Sequence, residues 1–151
     1  MSTRTTMSHT AGEAPVFPLS AEQCDRMARA ALEEDRAFDD VTTIAVVPPG
    51  ARASAVMVAR SGGVIAGIPL AVAVFRLLDR DAKCRARVLD GAQVAPNATV
   101  LSVEGSARAI LSAERVALNF AQRLSGIATL TSRYVHAVRG TNARILDTRK
   151  T

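Results

Sequence analysis

Tryptophan is absent and aromatic residues make up only 3% of the 151-residue chain, so any core must be built from Ala, Val, Leu and Ile. Such a core suits helices packed on a sheet better than an all-β sandwich. The same shortage removes the stacking platforms that a single-strand nucleic-acid binder needs. Long basic runs are also missing. The net charge is +5, but the arginines are scattered and no five or six basic residues adjoin. A diffuse excess of this kind fits anionic small molecules better than nucleic acid. Cysteine is scarce: Cys24 and Cys84 sit in no C-x-x-C, and His9 and His136 are far from both, so no metal-ligand spacing exists. Two reduced thiols of a cytoplasmic protein are the expectation. No apolar run approaches the roughly 18 residues of a membrane span. Residues 1–15 are Ser/Thr-rich without the apolar stretch of a secretory signal, and read as a disordered tail in which Met7 is an alternative start.

What is present has a clear order. Ser20 and Gln23 match a capping box, with Leu19 and Cys24 as its staple. Cys24, Met27, Ala28, Ala31 and Leu32 then fall on one helical face, and the helix should end near Asp35. Residues 39–43 have turn chemistry running into an extended segment. Strands are expected over 51–60, 64–66, 85–89 and 99–104, with a helix from Pro69 to Leu78 between them. Short connections favour antiparallel pairing. From Ala107 to Arg139 the chain is helix-permissive, with Ser125-Gly126 predicted to break it into two helices and Gly140 at the stop position. Residues 143–147 read as a further strand. A strand opening a new unit so near the end has nothing to pair with, so the expectation is a chain cut short.

Three constellations carry possible chemistry. Arg108, Ser112, Arg115, Asn119 and Gln122, spaced by 4, 3, 4 and 3, share one helix face. They are either a solvated face or an anion site, since Arg offers a planar fork to carboxylates and phosphates. Thr148, Arg149 and Lys150 follow the predicted strand 143–147 and are either a frayed basic terminus or the mouth of a parallel α/β site. Asp39 and Asp40 suit a turn or cap better than a carboxylate pair, because neighbours on an extended segment point to opposite faces. The glycines at 62, 63 and 67 lack dinucleotide-fingerprint spacing.

The runs ERVALNFAQRLSGIATLT (114–131) and DTRKT (147–151) resemble the signature of quinolinate phosphoribosyltransferases. EED (33–35), DDVTT (39–43), ARSGGVIAG (59–67), DGAQV (90–94) and EGSARAILSAER (104–115) precede them in the family's order, so the likeness covers about residues 20–151. It implies an α+β fold: an open-faced α/β sandwich with an antiparallel sheet over residues 16–122, then the first helices and strand of a truncated α/β barrel over 123–151. It implies transfer of phosphoribose from phosphoribosyl pyrophosphate to quinolinate with Mg²⁺, decarboxylation to nicotinate mononucleotide, and a place in NAD synthesis. It also implies a homodimer or higher homo-oligomer with shared active sites, and substrate-binding roles for Arg115 (in the neighbouring subunit's site), Thr148, Arg149 and Lys150; composition adds the expectation of no nucleic acid or membrane partner. No residue is assigned a catalytic or metal-ligating role; Mg²⁺-handling carboxylates are expected beyond Thr151, and the 151 residues alone are expected to be inactive.

Departures are small. The family's Gly-Asp-x-Thr is Asp39-Asp40-Val41-Thr42 here, and Asn97 replaces a turn Gly, which Asn tolerates at left-handed angles. Two alternatives stay open from sequence: a stand-alone binding or dimerisation module, and a molybdate-associated paralogue of the same family.

Overall fold

The computed structural model describes residues 17–148. Its first helix, α1 (Ala21–Glu34), begins with the predicted capping box. The Ser20 N–H donates to Gln23 Oε1 at 2.7 Å, and the Gln23 N–H donates to Ser20 Oγ at 3.2 Å. A 3₁₀ turn (Ala37–Asp39) leads into a short helix, α2 (Val41–Val46). Then come β1 (Arg52–Val58), β2 (Gly63–Val64), α3 (Ile68–Leu78), β3 (Lys83–Ala86), β4 (Gln93–Val94), β5 (Thr99–Ser106) and a 31-residue helix, α4 (Ala107–Ala137).

β5 lies between β1 and β3, antiparallel to both, and β2 pairs with β4 as a separate antiparallel ribbon. Register decides which side chains face inward. Ala55, Val103 and Cys84 are cross-strand partners on one face, as are Met57, Leu101 and Ala86. Val103 and Leu101 are buried there with Cys24, Ala28 and Leu32 of α1, Leu70 and Val74 of α3, and Ala113 and Ala117 of α4 in one core. The opposite face carries Ser54, Glu104 and Lys83, then Val56, Ser102 and Arg85. Its outer-strand positions are exposed, so the helices cover one side only: an open-faced α+β sandwich, as the sequence predicts.

Four local expectations are corrected. Residues 41–46 form a helix instead of an extended segment, despite their β-branched content, because both helix ends find partners. The Asp40 carboxylate accepts the Thr43 N–H at 3.0 Å, and Arg108 donates to the carbonyls of Ile44 and Val47 at 2.9 and 2.8 Å. β3 starts two residues earlier than predicted, since pairing with β5 begins at Lys83–Glu104. One more ladder bond, from the Arg87 N–H to Val100 O at 2.9 Å, follows the formal strand end. Ser125-Gly126 does not break α4. The Ser125 hydroxyl is engaged with both backbone groups of Ala66, at 3.0 Å to N and 3.2 Å to O, so it does not compete with the helix ladder. A single helix-interior Gly costs only about 1 kcal/mol, which packing overrides. Residues 143–148 form no strand, for among the described residues none lies alongside to complete the ladder. Gly140, at φ +81°, stands just past α4 as expected.

Two glycines should respond to alanine with opposite signs. Gly67 precedes α3 at φ +92°, and a Cβ there would sit 2.7 Å from Leu124 Cδ1 and 3.2 Å from Phe120 O. Gly67→Ala is expected to destabilise by about 1–3 kcal/mol. Gly126, within α4, has no atom within 4 Å of a built Cβ. Gly126→Ala should stabilise by roughly 0.5–1 kcal/mol. Urea unfolding of both variants against the parent protein checks the pair.

Candidate functional site

α4 meets α1 and α2 along the polar stripe picked out from the sequence, and two of its five residues, Arg108 and Ser112, are taken up by the fold while Arg115, Asn119 and Gln122 are exposed. Arg108 caps α2 through Nε to Val47 O and Nη2 to Ile44 O. One turn on, the Ser112 hydroxyl donates to Asp40 Oδ2 at 2.9 Å. That same carboxylate oxygen accepts the Thr43 hydroxyl at 2.5 Å. Arg108 and Ser112 thus clasp the two ends of α2. Further along, Asn119 is exposed, and Gln122 lines a groove on another flank of the helix.

Arg115 differs from both. Its guanidinium makes one bond, Nη1 to Asp35 Oδ1 at 3.1 Å, and its side chain is 77% exposed against 23% for Asp35. Four of its five N–H donors have no protein partner among the described residues. The concavity beside it holds about 310 Å³ and is lined by Asp35, Arg36, Asp39, Asp40, Ser112 and Arg115, among others. Three carboxylates therefore face two guanidiniums. Asp40 is committed to the α2 cap, and its pKa is lowered chiefly by the Thr43 hydroxyl, then by the Thr43 amide and the Ser112 hydroxyl.

Of the other predicted contacts, Thr148 is exposed in the irregular segment after α4 and shares no hydrogen bond with Arg115. Arg149 and Lys150 lie outside the described residues. A larger groove, about 1090 Å³, runs between β1, β2 and α4. Neither Arg115 nor Thr148 lines it, and walls such as Val56, Met57, Val58, Leu118 and Leu130 make it mainly aliphatic. Arg60 and Arg133 line it too, beside Glu114, whereas the smaller pocket is the one that holds Arg115. Among the described residues, no group of three or more His, Cys, Asp or Glu side chains is placed to hold a metal.

Sequence reasoning missed the working partners of several motif residues. Asp90, which enters the sequence reading only within the DGAQV run, caps α3 with its carboxylate, accepting the N–H groups of Gly67 at 2.6 Å and Ile68 at 3.1 Å. Asp79 accepts the Ser106 N–H at 2.7 Å at the start of α4. Thr129 Oγ1 accepts the Val64 N–H at 2.9 Å. Asp35 passed only as the end of the EED run. No periodicity announces such pairs, because their members are 22 to 80 residues apart.

Comparison with known proteins places the chain in a family. Residues 40–125 match the family described as quinolinate phosphoribosyl transferase, N-terminal domain. The nicotinate-nucleotide pyrophosphorylase (carboxylating) of Mycobacterium leprae is 45% identical over 126 residues, which cover 82% of this chain and 44% of that protein. The probable enzyme of the same name in Methanocaldococcus jannaschii is 38% identical over 128 residues, 83% of this chain and 44% of that one. The crystal structure of NadC from Streptococcus pyogenes superposes with a TM-score of 0.84 at 37% identity, covering 90% of this chain and 48% of that one. The chain thus spans somewhat under half the length of these relatives.

The Asp40 clasp sets a pH test. Its pKa is lowered in the folded state, so the stability it contributes is present above the unfolded carboxylate value and is lost as pH falls through the folded one. Asp40→Asn keeps an acceptor but removes the charge. It is expected to be less stable than the parent at pH 7, with the gap closing as pH falls below about 4. Urea midpoints across that range read this directly, and a gap that ignores pH would show that charge has no part in the cap.

Proposed function

The chain belongs to the quinolinate phosphoribosyltransferase family, and from that membership we propose that it supplies part of the quinolinate site of an enzyme making nicotinate mononucleotide for NAD synthesis. The observation that carries the reading is Arg115, in the Glu114-Arg115-Val116-Ala117-Leu118-Asn119 run, with an exposed guanidinium that uses one donor and presents the rest. Quinolinate carries two carboxylates, and a planar fork meets a carboxylate through two parallel N–H···O bonds.

Arg115 acts in trans in this reading, reaching the site of a second subunit in a homodimer. Support comes from charge. The pocket on its own chain sets three carboxylates against two guanidiniums, and such a balance does not retain a dianion unaided. Further cations have to come from another surface. Arg149 and Lys150 supply them, a fork beside a point charge, with Thr148 as a neutral contact; they bind quinolinate and phosphoribosyl pyrophosphate. Joining the quinolinate ring nitrogen to the anomeric carbon of the sugar, as the anomeric bond to pyrophosphate breaks and before CO2 is lost, then depends on positioning anions whose charge changes as pyrophosphate departs. The Mg²⁺ that accompanies phosphoribosyl pyrophosphate is given no ligand in this reading; among the described residues no three His, Cys, Asp or Glu side chains are grouped to hold a metal. No helix among the described residues is long and apolar enough to cross a membrane, and Cys24 and Cys84 are unpaired, which fits a reducing compartment such as the cytoplasm.

In the product of the whole reading frame, Arg115→Ala is expected to lose roughly 2–5 kcal/mol of transition-state stabilisation with quinolinate, as when a desolvated Arg–carboxylate contact loses one partner. Steady-state kinetics with each substrate varied decides it, and a near-parental kcat/KM for quinolinate would sink the assignment. Mixing Arg115→Ala subunits with subunits inactivated at Arg149 should restore activity in heterodimers, because one intact site reassembles; no recovery on mixing would refute sharing. Arg149→Lys keeps the charge and loses the fork, so its activity should fall well below the parent's. A lysine variant retaining most activity would show that potential alone suffices there.

A further inference from the structure

α1 ends in a way its own stability does not explain. Its last residues are Glu33 and Glu34, Asp35 is the C-cap, and no basic residue occupies the last turn. The C-terminus of a helix carries the negative end of the macrodipole, so a carboxylate there is disfavoured. A local rule broken in this way often marks a residue working for something other than its own element. The backbone at this point is nevertheless tightly determined. The Asp35 N–H donates to Ala31 O at 3.0 Å, the Arg36 N–H donates to Glu33 O at 3.1 Å, and Arg36 turns the chain at φ 57°. That turn delivers the Asp35 carboxylate to α4, where it meets Arg115 across 80 residues of sequence.

We propose that Asp35 is a positioning residue for substrate: it holds one edge of the Arg115 guanidinium from an anchored helix end, so that the remaining donors are presented to an incoming carboxylate. The proposal rests on the reading of Arg115 as a quinolinate contact. Several features favour presentation over neutralisation. The contact is monodentate, through Nη1 alone, and so leaves the opposite edge of the fork open. Asp35 is the less exposed partner, 23% against 77%, so the fixed member is the carboxylate and the mobile member is the arginine it restrains. An exposed pair of this sort contributes little to folding, and its value lies in the geometry it imposes on a long side chain before ligand arrives.

The role separates from a structural one by sign. Removing a carboxylate from the C-terminus of α1 should leave the urea midpoint unchanged or raise it, whereas binding should weaken. In the whole enzyme, Asp35→Ala is expected to raise KM for quinolinate roughly 3- to 10-fold, the size typical of coupling between contacting residues. Its kcat and its KM for phosphoribosyl pyrophosphate should stay within about twofold of the parent, the margin for a site that does not couple. Asp35→Asn, which keeps the acceptor oxygen, should recover most of the lost affinity. In an Arg115→Ala background, Asp35→Ala should have no further effect on KM. An unchanged or lowered KM in Asp35→Ala, beside an impaired Arg115→Ala enzyme, would overturn the positioning role and leave the reading of Arg115 standing. Additive effects in the double variant, or an Asp35→Asn enzyme as weak as Asp35→Ala, would also overturn it. If Arg115→Ala itself bound quinolinate normally, the reading of Arg115 would fall, and the proposal with it.

Discussion

Backbone groups at the ends of short elements have to find partners, and in this molecule α4 supplies most of them. α2 is six residues long, β2 is two, and α3 begins at a glycine whose own side chain offers no cap. None of these would persist on local hydrogen bonding alone, since helices this short are marginal and an isolated two-residue ladder has almost no stability. Arg108 closes the C-terminal end of α2, and Ser112 steadies the carboxylate at its N-terminal end. Ser125 and Thr129 hold Ala66 and Val64 through their backbone groups. Asp90 performs the equivalent task from a loop at the start of α3, as Asp79 does at the start of α4. Apart from the exposed Arg108–Ile44 contact, each is a bond whose loss strands a partly buried donor or acceptor, and that penalty exceeds the modest net worth of the bond itself.

This constraint explains which parts of the fold could be read in advance. Elements with self-contained signals were legible. The Ser20–Gln23 box, the apolar face of α1, Pro69 at the start of α3 and the alternation through β1 and β5 each obey a period or a cap within a few residues. Elements held from a distance were not. Val41-Thr42-Thr43-Ile44 has strand-like composition, and it is helical with Asp40 capping its start and Arg108, more than 60 residues later, taking the carbonyls of Ile44 and Val47. Ser125-Gly126 has the composition of a break, and it stays inside a helix because the serine is already occupied by Ala66. The segment 143–147 has a strand's pattern, but a pattern expresses itself only where a neighbouring strand completes the ladder.

The stripe on α4 shows how far the site itself was legible. Spacing placed Arg108, Ser112 and Arg115 on one face, and they are on one face. Spacing could not say which would be consumed by the fold. Side chains within reach of α2 are used up on it, and the one lying a turn beyond, opposite the end of α1, keeps most of its donors. What the motif contributed was the identity of that residue. What the structure contributed is the reason it is free, together with its single partner Asp35. Asp35 was invisible beforehand because an acidic residue at the end of an acidic helix looks like ordinary solvated surface.

Arg115 sits on the same 31-residue helix as Ser125 and Thr129, 10 and 14 positions away, which is about 15–21 Å along the axis at the usual rise. A helix of this length bends gently rather than breaking, and α4 carries its one glycine, Gly126, without a kink-producing proline. The orientation of Arg115 is therefore set by two anchor regions acting on one stiff element. Near it, Ser112 and Asp40 fix the helix against α2; far from it, Ser125 and Thr129 fix the helix against β2 and the loop before α3. Gly63 shows how closely the far anchor is fitted: a Cβ there would stand 2.6 Å from Thr129 Oγ1, a distance that forces the threonine or the strand to move. A change at Gly63 thus does more than loosen a two-residue strand. It disturbs the support of the helix that carries Arg115, so residues far from the Asp35 contact still bear on the direction of the guanidinium.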